Sequence, residues 1–141
     1  MTSFTSRYGN PADDYKGAHI WAQCRHTATV VAVTGKVDAR NVDHVIARTV
    51  RVIGGESPFV LDLSGVTTFT PAALRLLTAV DDHCAAIGAP WALVTSDAVV
   101  ARIPRRLEFT MLESVAAAEH RFDDAILRRR GLLLPLLRRT A

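Results

Sequence analysis

Polar and apolar positions alternate early in the chain and then change to helical spacing. Over residues 20–27, Ile20, Ala22 and Cys24 fall on one side and Trp21, Gln23 and Arg25 on the other, which predicts a strand with one covered face. Residues 29–34 are β-branched and largely apolar, a second strand, and Gly35-Lys36-Val37-Asp38 turns the chain toward a helix. In that helix Val42, Val45, Ile46, Val50 and Ile53 recur at three- and four-residue steps, with Asp38 as its cap and Gly54-Gly55 as its end. Phe59 to Leu63 is an apolar run broken only by Asp62, the pattern of a strand covered on both faces. Thr70 then offers a capping hydroxyl, and Pro71 a first helical residue whose missing N–H costs nothing. The stripe Ala73, Leu77, Val80, Cys84 and Ile87 carries this helix to Gly88, with Arg75, Thr78, Asp82 and His83 on the other side.

Residues 90–96 read as the next strand, and Ser96 as the cap of a short helix reaching about Ile103, where Pro104 disrupts it. Ser114 to Ala118 is taken as a final short strand. The last helix begins near Arg121, carries Phe122, Ile126 and Leu127, and ends at Gly131. This succession predicts an α/β fold with a mixed, mostly parallel sheet of four to five strands and four to five helices. Three regions follow: a flexible polar arm over 1–17, the domain over 18–131, and an apolar and basic tail over 132–141.

Composition narrows the picture. With 141 residues, 49% hydrophobic and 22% charged, the chain can bury one core and needs no second domain. It has no apolar run of about 18 residues and no basic-then-apolar start, so a cytoplasmic protein without a membrane span is expected. Cys24 and Cys84 lie far apart and read as buried, reduced thiols. The net charge of +3 is uneven, because Arg128, Arg129, Arg130, Arg138 and Arg139 crowd the end. No aromatic residues interleave with them as a base-stacking platform requires, so they read as a solvated face and no direct nucleic-acid binding is expected. Leu132, Leu133, Leu134, Leu136 and Leu137 are too few to span a bilayer and too apolar to stay solvated, so they dock on their own domain or associate with another copy.

Candidate chemistry is sparse. The chain lacks a dinucleotide fingerprint, a phosphate loop, a paired-His metal motif and a nucleophile elbow. His19, His26, His44, His83 and His120 are scattered, and the neighbours Asp81, Asp82 and His83 diverge on a helix instead of converging on one ion. The hydroxyls of Thr2, Ser3, Thr5 and Ser6 read as unmodified arm residues. The expectation is a binding protein, not an enzyme, with no cofactor and no metal.

Asp62-Leu63-Ser64-Gly65-Val66, followed by a short apolar link and an apolar helix, resembles the STAS family (sulfate transporter and anti-sigma factor antagonist). Gly35-x-x-Asp38 after the second strand resembles that family's Gly-Glu-Leu-Asp, with Lys36 and Val37 in the middle places. The resemblance spans roughly Ala18 to Leu127 and implies a STAS-like single domain. It implies an anti-sigma factor antagonist, whose partner is an anti-sigma factor of the histidine-kinase-like ATPase type. Two further readings stand: an accessory subunit of a lipid-transport complex, and a small-ligand sensor or scaffold. A homodimer is a further partner left open. The family's contact surface maps to Asp38, Arg40, Thr70, Pro71, Ala72 and Arg75. Asp38 has two readings there, a cap alone or a cap whose side chain also meets the partner. The family's Asp-Ser-Ser-Gly is replaced by Thr70-Pro71-Ala72-Ala73, and Pro71 stands where the family carries its phosphorylated serine. The usual switch is therefore expected to be missing. Thr70, whose hydroxyl is expected to be bonded to the first turn of its helix, is the one nearby candidate for phosphate.

Overall fold

The computed structural model describes residues 12–54 and 57–125. Six strands lie side by side in chain order: β1 (Asp13–Tyr15), β2 (Ala18–Cys24), β3 (Thr29–Val37), β4 (Phe59–Phe69), β5 (Trp91–Val94) and β6 (Met111–Leu112). β1, β2 and β3 pair antiparallel, whereas β3, β4, β5 and β6 pair parallel. Connection length explains the change of sense. The short links Lys16-Gly17 and Arg25 to Ala28 permit only hairpins, and each later link contains helix enough to cross over.

β4 is the centre of the core. Phe59, Leu61 and Leu63 point to one face, where α1 (Val42–Val52) and α2 (Leu74–Ile87) bury Val42, Val45, Leu76, Leu77 and Val80 against them. Val60 points to the other face and joins Val30, Ala92 and Val94 beneath Ala118 and Phe122 of a helix over 115–125, here α4. Each such side chain, fully buried, stabilises the fold by about 1.5–3 kcal/mol. The short α3 (Asp97–Val100) buries Val99 in the α1–α2 core. The mixed, mostly parallel sheet with helices on both faces is the α/β layout expected.

Several local expectations change. Residues 13–15, read as part of an arm, form β1, which gives six strands instead of four to five. Ser114 to Ala118 is not a strand. Ser114 Oγ accepts the Ala117 N–H at 3.0 Å and Ser114 carbonyl the Ala118 N–H at 3.1 Å, so this serine starts α4 six residues before Arg121, and its alanines follow their helical preference. The last strand is Met111–Leu112 instead. β4 runs on to Phe69 because its far half continues to pair with β3. Ile87 is 44% exposed, since the helix ends at Gly88 beyond the edge of the core. Cys24 is exposed at the end of β2, and only Cys84 is buried. Ser96 does not cap α3 with its side chain; its hydroxyl donates to the Val66 carbonyl at 2.7 Å. Ile126, Leu127, the arginines from Arg128 onward and the leucine tail lie outside the described residues, as do Thr2, Ser3, Thr5 and Ser6.

Candidate partner-binding surface

The carboxyl ends of β3 and β4 bring two distant turns together. Thr70 N–H donates to the Val37 carbonyl at 3.1 Å, so the residue before Asp38 is tied to the residue before Pro71. Arg75 Nη1 donates to Asp43 Oδ1 at 2.9 Å and joins the start of α2 to the start of α1. The six residues expected to form one surface thus sit on two linked turns. Pro71, Arg40 and Arg75 are exposed, and Asp38, Thr70 and Ala72 are half-buried.

The first turn is organised from inside. Asp38 Oδ1 accepts the Arg40 N–H at 2.9 Å, and its Oδ2 lies 3.3 Å from Arg40 Nη2. Burial opposes the charge on Asp38, but the Arg40 N–H and guanidinium, helped by the Asn41 N–H, hold the carboxyl below its ordinary value. α1 itself starts at Val42, and Asp38 carbonyl accepts both the Asn41 N–H at 3.2 Å and the Val42 N–H at 2.9 Å. Asp38 therefore caps the turn that leads into the helix and not the helix itself, whose cap position is Asn41.

Asn41 was missed from the sequence. It is completely buried, and its amide is fully used: Oδ1 accepts the Asp38 N–H at 3.0 Å, while Nδ2 donates to the carbonyls of Lys16 at 3.0 Å and Lys36 at 2.8 Å. One side chain thereby holds the β1–β2 turn, the end of β3 and the Asp38 turn in place. Its residue type, just ahead of a helical stripe, is a recognisable helix-start signal. That its amide faces inward is not legible from spacing.

Both motif glycines answer to close backbone approach. Gly35 has φ +87°, and a Cβ there would lie 2.3 Å from the Gly17 carbonyl oxygen that accepts the Lys36 N–H at 2.9 Å. A Cβ on Gly65 would lie 2.4 Å from Thr34 Cγ2. Between Ala32↔Asp62 and Thr34↔Gly65 the pairing slips by one residue, and Asp62 Oδ1 closes this bulge by accepting the Ser64 N–H at 3.0 Å and hydroxyl at 2.6 Å. Asp62, Ser64 and Gly65 are thus accounted for by the bend of β4.

The second turn differs from expectation in its chemistry. Pro71–Ala73 forms a 3-10 turn that leads into α2, and Thr70 carbonyl accepts the Ala73 N–H at 2.9 Å. The Thr70 hydroxyl does not cap it: Oγ1 is buried and has no hydrogen-bond partner. The 3-10 geometry satisfies the turn through the backbone, so the hydroxyl is not called upon. Thr67 Oγ1 donates to the Gly35 carbonyl at 3.1 Å, and Thr68 is exposed. Beside this turn a cavity of about 330 Å³ opens between Thr67–Thr70 and the α3 side, where Ala98, Ala101 and Arg102 line it. Among the described residues no three His, Cys, Asp or Glu side chains are placed to hold a metal ion.

Two exposed guanidiniums are already paired, Arg40 with Asp38 and Arg75 with Asp43, and the same two turns carry the exposed Pro71 and the half-buried Ala72. Such a patch suits a protein face that brings its own polar partners for the rim.

Comparison with known proteins bears on the family and the fold. The STAS domain family model matches residues 19–122. Osmosensory protein A of Mycobacterium tuberculosis (strain ATCC 25618 / H37Rv) is 44% identical over 146 residues, covering 99% of this chain and 92% of that protein. The crystal structure of an anti-sigma factor antagonist from Mycobacterium paratuberculosis superposes with a TM-score of 0.63 at 19% identity, over 75% of this chain and 94% of that one. The structure of the anti-sigma factor antagonist SpoIIAA in its unphosphorylated form gives a TM-score of 0.55 at 14% identity, over 79% of this chain and 98% of that one. At such identities the two structures share the fold with this chain.

Proposed function

The chain belongs to the STAS domain family, and on that premise we propose that it is an anti-sigma factor antagonist-like regulator of transcription. Its partner is an anti-sigma factor of the histidine-kinase-like ATPase type, bound through Asp38, Arg40, Thr70, Pro71, Ala72 and Arg75. It is not switched by phosphate at that surface. The observation that supports this reading most is the Thr70 N–H to Val37 carbonyl bond, which joins the two turns into one face. The buried Thr70 oxygen and Pro71 in the serine place support the unswitched form. The name of the mycobacterial relative makes osmotic stress the first condition under which to look for the partner.

The test starts with the full-length protein as bait in extracts of its own cells, grown with and without osmotic stress, and identification of what it retains. An ATPase-type anti-sigma factor is the expected catch; a lipid-transport complex in its place overturns the reading. With the partner in hand, Ala72→Arg places a long cation in the centre of the patch and should abolish the calorimetric binding signal while leaving the unfolding transition unchanged. Undiminished binding by this variant removes the surface from consideration. Incubation with the partner and ATP followed by mass spectrometry should find no phosphate on Thr67, Thr68 or Thr70, and stoichiometric phosphate on any of them restores a regulated antagonist.

A further inference from the structure

At the opposite end of the sheet, where β4 and β5 begin, a groove of about 440 Å³ runs between α2 and α4. Its walls are Ala85 of α2, Trp91 of β5, Phe109, and Phe122 and Ala125 of α4. Trp91 is the centre of this floor: its indole N–H donates to Asp81 Oδ1 at 3.0 Å, and its ring meets that of Phe109 at 5.8 Å between centroids. Asp81 and Glu108 make the rim acidic, with Arg121 the one basic residue among the described residues of the lining.

We propose that the chain's own segment Leu132 to Leu137 folds back into this groove. Three observations converge. Ala125, the last described residue, is itself part of the wall, so the continuing chain leaves from the groove's edge. Leu132 is seven residues further on, a span of about 10 Å as the helix expected to Gly131 and at most about 23 Å extended, and Gly131 permits the reversal just before the leucines. Five arginines bracket those leucines, Arg128, Arg129 and Arg130 before and Arg138 and Arg139 after, which complements Asp81 and Glu108 on the rim. Tethering makes the encounter intramolecular, so an interaction too weak to join two molecules still fills the groove. The inference is independent of the partner surface, which lies at the other end of β4.

Trp91 reports on occupancy. The chain has two tryptophans, so Trp21→Phe leaves Trp91 as the only indole emitter. In that full-length background, acrylamide quenching is compared with Leu133→Asp plus Leu136→Asp in the tail, and separately with Ala85→Arg in the groove. Tail docking predicts a quenching constant at least two- to threefold lower in the parent than in either variant, independent of protein concentration between about 1 and 100 µM. Far-UV circular dichroism checks that each variant is folded, and the tail pair remains decisive should Ala85→Arg unfold the domain. Equal quenching in parent and tail variant overturns the proposal. So does shielding that appears only as concentration rises and the mass by light scattering doubles, because a second copy is then the occupant.

Discussion

The two ends of the sheet are built by different forces. At the carboxyl ends of β3 and β4 the chain is placed by directional polar contacts: the Asn41 amide on two carbonyls and an N–H, the Asp62–Ser64 bulge, and Gly35 set against the Gly17 carbonyl. At the starts of β4 and β5 the contacts are mostly apolar, with Trp91, Phe109 and Phe122 around an open groove and the indole–Asp81 bond among its few polar ties. Hydrogen bonds are lost steeply with distance and angle, so the first kind of construction holds a few atoms in one geometry. Apolar contact is non-directional, so the second kind accepts whatever segment of suitable size covers it. The partner face proposed above lies at the first end, and the proposed docking groove at the second.

The sharpest way to break this contrast is Asn41→Ala. It takes the partner from the half-buried bonds to the Lys16 and Lys36 carbonyls and the Asp38 N–H, at about 1 kcal/mol each, so urea unfolding should show a loss on the order of 3 kcal/mol. Partner binding should fall with it in any folded fraction, although Asn41 reaches no solvent itself. A loss under about 1 kcal/mol would mean that the apolar core, not this amide, places the Asp38 turn.

Next in size is a pH effect on the half of α2 that leads to the groove. Burial, reinforced by the charge of Asp81, pushes the Cys84 thiol up from 9.0 to about 11. The unfolded thiol gives up its proton near its ordinary value while the folded one keeps it. The contribution is therefore whole below pH 9, declines between 9 and 11, and is level above. Relative to Cys84→Ala, the parent should lose about 2 to 3 kcal/mol across that window in unfolding measurements. Parallel pH curves for the two proteins would contradict it. Alkylation at neutral pH should modify Cys24 and leave Cys84 unmodified until the chain unfolds.

The smallest effect is expected from Arg75→Ala. Its ion pair with Asp43 is exposed on both sides, so stability should change by no more than about 0.5 kcal/mol. Association with the partner should weaken all the same, because the guanidinium is one of the exposed groups of the proposed face. Such a split separates a recognition role from a structural one; a large loss of stability with intact binding would reverse the assignment.

Much of this architecture is legible in the sequence because periodicity reports burial directly. The first half of the β2 alternation, the β-branched β3, the stripes of α1 and α2 and the punctuation at Gly88 each follow from which side chains must leave water, and each is present except at the ends, where Cys24 and Ile87 are exposed. The Gly35-x-x-Asp38 and Asp62-Leu63-Ser64-Gly65 motifs mark a positive-φ glycine and a bulge for a similar local reason, since turns and bulges demand particular residues. What spacing does not carry is the meeting of elements far apart in sequence. Asn41 is a helix-start residue by type, yet its task depends on the Lys16 and Lys36 carbonyls arriving from a hairpin. Ser114 to Ala118 is short enough to read as strand, and only the back face of β5, with Ala92 and Val94 awaiting a cover, makes it the start of a helix. Thr70 reads as a cap, but the bond from its N–H to Val37 carbonyl turns the hydroxyl inward and leaves the turn to the backbone. Local pattern determined the elements because solvation acts residue by residue. Tertiary structure decided the surface, because a buried polar group has its partner only once the chain has closed around it.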